Sequence, residues 1–154
     1  MTGKIDEIET VITYLQMTAA PVAPPPMTPM GPMALMRAEK PTLAFYRFLY
    51  NTIGNDHTWW ERRVMPDDQL LAAIQAENVD VFVLYVGGVP AGYFELTAYE
   101  NGKEIDLAYF GLMPEFIGQG YGAYLLRVAI DEAWSRHPAR IIVNTCNLDH
   151  PNAL

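Results

Sequence analysis

The run Pro114-Glu115-Phe116-Ile117-Gly118-Gln119-Gly120-Tyr121-Gly122 carries the clearest chemistry in this chain. It follows an apolar stretch, Ile105 to Met113, that reads as a strand, and it opens Tyr121 to Ser135, which reads as a helix. A glycine-rich turn placed there leaves backbone N–H groups free at a helix N-terminus, where the positive end of the helix dipole also lies. Glycine lets the backbone turn sharply and approach a phosphate with no Cβ in the way. The chemistry this suits is pyrophosphate binding. Gly-x-Gly-x-Gly is too tight for the dinucleotide fingerprint, and no Lys-Ser/Thr follows as in a Walker A loop. A strand-to-helix turn with glycines for packing is the plainer reading of the same residues.

The elements that must position this turn follow from patterning. Ile8 to Met17 is rich in β-branched and aromatic residues and reads as a strand. Residues 19–32 carry Pro21, Pro24, Pro25, Pro26, Pro29 and Pro32, so they read as an extended surface loop that packs onto the domain. Met33 to Arg37 reads as a second short strand. Thr42 to Thr52 reads as a helix with Pro41 near its start and Gly54 past its end. Asp67 reads as the N-cap of a helix from Asp68 to Ala76. Val79 to Val86, Ala91 to Ala98 and Glu104 to Met113 read as strands joined by turns at Gly87-Gly88 and Asn101-Gly102. Pro138 breaks the chain after the helix, and Ile141 to Thr145 is a last strand. The order is α+β.

Bulk composition narrows the function. At 154 residues, 51% hydrophobic and 18% charged, the chain reads as one globular domain. No apolar run is long enough for a membrane span, and the polar N-terminus lacks a secretory h-region, so a cytoplasmic protein is expected. Cys146 is the single cysteine and reads as an inert thiol in a strand. The net charge is −8, and the basic residues form no cluster beyond Arg62-Arg63, which disfavours nucleic acid and favours a cationic acceptor. His57, His137 and His150 show no ligand spacing, so no metal is expected.

The strand-loop-helix stretch resembles the acetyl-CoA loop of the GNAT superfamily of N-acetyltransferases. Leu112-Met113-Pro114 supplies that family's aliphatic-x-Pro lead-in, and Ile117 to Gly122 supplies its Gln/Arg-x-x-Gly-x-Gly/Ala loop. Ile117 departs from the pattern, standing where the family has Gln or Arg. The resemblance implies a mostly antiparallel mixed sheet flanked by helices, with one strand pair splayed open for the cofactor. It implies acetyl transfer from acetyl-CoA to a primary amine by direct attack, the amine being on a small molecule or a peptide. Pantetheine would lie along Phe110, Leu112 and Met113. Pyrophosphate would sit on Ile117, Gly118, Gln119, Gly120, Tyr121, Gly122 and Ala123. His150 would be a pantetheine contact or a surface histidine at a helix start.

Such a transfer needs a base for the amine, a donor for the oxyanion and an acid for the leaving thiolate. Glu104, Asp106, Ala108, Phe110 and Leu112 share one strand face by even spacing. Asp106 stands where some family members carry the activating glutamate. Glu95 on the neighbouring strand competes with it, and solvated strand-edge carboxylates are the alternative to both. His57, Trp59 and Trp60 lie in the loop that lines the acceptor pocket in the family, beside Glu61; buried tryptophans anchoring that loop are the alternative. Arg62 and Arg63 read as local salt-bridge partners. The family's thiolate acid is a tyrosine four residues past Ala153, so at Leu154 the acid and the terminal strands are expected to be missing, with Tyr109, Tyr121 and Tyr124 as stand-ins. An unpaired sheet edge would invite a homodimer. A non-catalytic acyl-CoA-binding or regulatory module is the alternative function.

Overall fold

The computed structural model describes residues 7–153. In chain order the elements are β1 (Ile12–Met17), β2 (Met33–Ala38), α1 (Leu43–Gly54), α2 (Glu61–Val64), α3 (Asp67–Ile74), β3 (Val79–Val86), β4 (Val89–Tyr99), β5 (Glu104–Leu112), α4 (Tyr121–Trp134) and β6 (Arg140–Cys146). Among the described residues the strands form one sheet in the order β1-β6-β5-β4-β3-β2. Only β5 and β6 are parallel, because α4 crosses over between them.

Each face of the sheet carries its own core. On one face α4 packs Leu125, Ala129 and Ala133 against Leu84, Phe94, Leu96, Ile105 and Leu107. On the other, α1 and α3 pack Tyr46, Leu49, Ile53, Leu70 and Ile74 against Val81, Val83 and Tyr93. Burial on both faces explains why β3 is apolar at every position but Asp80. In α1, Tyr46, Leu49, Tyr50 and Ile53 recur at helical spacing, and Thr42 caps the helix by accepting the Phe45 amide at 3.3 Å.

Several expectations change. The first strand begins at Ile12, not Ile8, and pairs antiparallel with β6 at the edge opposite β2. Pro66, not Asp67, holds the N-cap position of α3; Asp67 lies in the helix's first turn and its carboxylate accepts from Arg47 at 2.7 Å. The four-residue helix α2 is too short for a periodic signal.

The consequential difference is a β-bulge. Glu95 stands opposite Tyr109, but Leu96 stands opposite Leu107, so Ala108 is an extra residue in β5. Alternation restarts there. Ile105, Leu107, Phe110 and Leu112 therefore pack towards α4, while Asp106 and Tyr109 share the α1 face. The expected common face for Asp106, Phe110 and Leu112 is corrected.

Candidate active site

A bonding gap opens beside the bulge. β5 pairs with β6 only at Glu104–Arg140, Ile105–Ile141 and Asp106–Ile142. Beyond that, Leu107 to Leu112 pair with β4 alone and Val143 to Cys146 with β1 alone. The facing edges of β5 and β6 thus lose their ladder at the bulge.

The glycine turn lies at the end of β5. Gly118 and Gly120 have φ of 81° and 88°, a region L-side chains avoid, and Gly120 caps α4 without any side-chain bond. Among the described residues, none of the amides of Gly118, Gln119, Gly120, Tyr121, Gly122 and Ala123 meets a protein acceptor. No atom lies within 4 Å of where a Gly118 Cβ would stand. An unobstructed set of donors at a helix N-terminus fits a pyrophosphate. Ile117 is largely exposed, and Gln119 folds back so that its Nε2 donates to the Glu115 carbonyl at 2.9 Å. Besides Phe110 and Leu112, two more side chains in the predicted set face the core. Met113 is buried against the α1 core, and Tyr121 packs edge-on against Phe116.

Across the sheet, side chains from α1, α2, β4 and β5 form an ionic and aromatic cluster. Glu95 is 0% exposed. Tyr46 Oη donates to Glu95 Oε1 at 2.8 Å, and Arg62 Nη2 donates to Oε2 at 2.9 Å. The Arg62 guanidinium lies 5.5 Å from the Tyr46 ring and 5.1 Å from the Tyr109 ring. Tyr109 Oη in turn donates to Glu61 Oε2 at 3.0 Å. Burial pushes the Glu95 carboxyl up, and Arg62 and Tyr46 pull it back. Burial works against the charge on Arg62, yet Glu95 and the tyrosine oxygens outweigh it and hold the guanidinium above its ordinary range. Burial raises Tyr46 and Tyr109 as well, so both hydroxyls keep their protons. Arg47 holds α2 in place by donating to the carbonyls of Arg62, Arg63 and Met65.

Asp106 sits differently. It lines an open trough of about 540 Å³ with Glu104, Tyr99, Arg140, Gln16 and Asn144. Its Oδ1 is buried with no hydrogen-bond partner among the described residues. Burial, then the charge of Glu104, raises its pKa. Glu104 itself is paired with Arg140.

Residues after β6 close on the aromatic cluster. Asp149 Oδ2 accepts from Thr145 Oγ1 at 2.7 Å and from the Cys146 amide at 2.9 Å, and its Oδ1 accepts from Trp59 Nε1 at 3.4 Å. Trp59 packs within 5.4 Å of Tyr50 and Tyr109, ring centre to ring centre. His57 and His150 stand edge to face at 6.0 Å. The structure thus brings together His57, Trp59 and His150, while Trp60 is mostly exposed. Sequence reasoning missed Asp149 and the joining of Tyr46, Arg62 and Tyr109 around Glu95. One signal was available. Glu95 interrupts the apolar run of β4 at an inward position, and a carboxylate buried there needs a cation.

Fold and site define a class, and the comparisons agree. The chain belongs to the acetyltransferase (GNAT) family, whose model matches residues 42–154. It is thereby an enzyme of the acyltransferase type, from a family that uses acetyl-CoA as co-substrate. It is similar in fold to an aminoglycoside acetyltransferase from an uncultured soil metagenomic sample, solved with trehalose, at 13% identity and a TM-score of 0.61, covering 76% of this chain and 80% of that one. A ribosomal-protein-alanine N-acetyltransferase from Brucella melitensis biovar Abortus 2308 matches at 14% identity and a TM-score of 0.56, covering 73% and 80%. A functionally unknown conserved protein from Staphylococcus epidermidis ATCC 12228 matches at 17% and 0.54, covering 77% of this chain but 45% of that one. No curated protein matches. Among the described residues no helix is long and apolar enough to cross a membrane, and no group of three or more His, Cys, Asp or Glu could hold a metal ion.

Proposed function

We propose that this chain transfers an acetyl group from acetyl-CoA to a primary amine by direct attack. The observation that carries this reading is the coincidence of unengaged amides at Gly118 to Ala123 with the lost β5–β6 ladder at Leu107 to Leu112. The amides would hold the pyrophosphate, and the free edge of β5 near Phe110 and Leu112 would hold the pantetheine arm as an added strand. When bound, acetyl-CoA supplies the activated thioester.

Asp106 is the base we favour. An alkylammonium of pKa near 10 must lose a proton before attack. Asp106 has a buried oxygen without a donor and a raised pKa, which makes it a stronger proton acceptor than an ordinary carboxylate. Glu95 has both oxygens committed, so we assign it to holding Arg62 and the acceptor wall. Of the three stand-in tyrosines, Tyr121 and Tyr124 pack in the α4 core. Tyr109 lies next to the bulge, but its hydroxyl is committed to Glu61 and burial makes it a weaker acid, so we assign it with Arg62 to the acceptor wall. His57, Trp59 and His150 would form the rim of the acceptor pocket.

The acidic balance of −8 favours a cationic acceptor. Two fold neighbours are an aminoglycoside acetyltransferase and a ribosomal-protein-alanine N-acetyltransferase, so the amine panel should hold an aminoglycoside and a peptide N-terminus. A single cysteine requires no oxidising compartment, which agrees with a cytoplasmic setting. Ile117, apolar where the family has Gln or Arg, favours a second reading: a module that binds acyl-CoA without turnover. Thiol release from acetyl-CoA across the amine panel separates them. Release with an acetylated product supports the enzyme; CoA binding with no product from any amine supports the module.

A further inference from the structure

Neither the cradle nor the acceptor wall uses the segment between β1 and β2. Its ends lie at opposite edges of the sheet, about 24 Å apart at roughly 4.8 Å per strand spacing. It crosses outside α4. Arg127 Nη1 donates to the Ala23 carbonyl at 2.8 Å, tying the strap to the helix. Pro29 Cγ comes within 4.0 Å of where a Gly120 Cβ would stand, so the strap passes beside the phosphate cradle.

Its composition suits a ligand surface. Prolines at 21, 24, 25, 26, 29 and 32 stiffen it and leave few amides wanting partners. Pro21, Pro26 and Pro29 are half-buried, whereas Met27 and Met30 are 90% and 94% exposed. From Thr18 to Met36 it carries no charge, in a chain of net −8. A neutral strip does not repel a polyanion. Two methionines held in water at the mouth of an anion site offer soft, polarisable contact to a flat aromatic ring. The group that must leave the cradle on the far side of a nucleotide pyrophosphate is an adenosine.

We propose that the strap is a shelf for the adenine ring of the bound thioester, made by Met27, Pro29 and Met30. This rests on reading Gly118 to Ala123 as the pyrophosphate site.

The test compares CoA with 4′-phosphopantetheine, which keeps the arm and one phosphate but lacks the second phosphate and the 3′-phosphoadenosine. Met27→Ser combined with Met30→Ser alters two exposed side chains and leaves both cores intact. Calorimetry should show CoA weakened about tenfold in the double variant. Phosphopantetheine should bind both proteins equally. In the wild type, the methyl resonances of Met27 and Met30 should move upfield with CoA and stay in place with phosphopantetheine. Unchanged CoA affinity with unmoved methyl signals overturns the shelf and spares the cradle. Equal weakening of both ligands also overturns the shelf. If the wild type binds neither ligand, the cradle reading itself falls, and the shelf with it.

Discussion

The two ends of the proposed site, one for the cofactor and one for the acceptor, are made of different material. The cofactor end is backbone: glycines with positive φ, open amides and a strand edge without a partner. The acceptor end is side chain: a buried carboxylate, a guanidinium and a ring of tyrosines and tryptophan drawn from four elements and closed by Asp149. The donors at the first end are unengaged and open to a ligand. The second is already satisfied internally, so its groups hold a shape. A residue's chemical type therefore says little about its role until its partners are known. Glu95 and Asp106 are both carboxylates on neighbouring strands, yet one is consumed and the other is free.

Changes that break this contrast should differ in kind as well as size. Glu95→Ala strips the counter-charge from a buried Arg62 and should cost about 3–5 kcal/mol of stability, read by chemical denaturation. A loss under about 1 kcal/mol would mean that the pair is solvated and the acceptor wall is not rigid. Asp106→Asn should leave stability and CoA affinity near wild type but lower turnover about a hundredfold at neutral pH, and remove the acid limb of the pH–rate profile. Equal rates at every pH would take the base role from Asp106. Gly120→Val puts a branched side chain at φ of 88° and tilts the amides, so calorimetry should show CoA binding weakened about thirtyfold or more.

The smallest effect concerns pH and stability. Asp106 has a folded-state pKa above its unfolded value, because burial penalises its charge. The folded protein then binds the proton more tightly, and stability is lost as pH rises through the raised pKa. Asp106→Asn removes that penalty. It should melt about 1–3 °C above wild type at neutral pH, with the gap closing in acid below the unfolded carboxylate range. A gap that widens in acid would mean that Asp106 is paired rather than desolvated.

What sequence could show follows the same division. β3 falls where its apolar residues cluster, and the glycine spacing located the helix start and the turn before it, because those signals are local. The acceptor side depended on contacts distant in sequence. Tyr46, Arg62, Glu95 and Tyr109 meet only once the sheet has formed, and no spacing along the chain relates them. The bulge at Ala108 carries no residue signature, and missing it placed Asp106 on the same face as Phe110. β1 was legible as a strand, but its pairing with β6 across the whole sheet was not. Gly111 is a similar case: it reads as a strand glycine, and the structure shows that a Cβ there would collide with Ile53 of α1.

The measurement closest to the central claim is an amide NMR titration of the intact chain with CoA. The account predicts that the amides of Gly118, Gln119, Gly120, Gly122 and Ala123 shift most, while those of Tyr46, Arg62 and Glu95 barely move. Saturable CoA binding that shifts the Glu95 cluster and leaves the glycine turn untouched would contradict it.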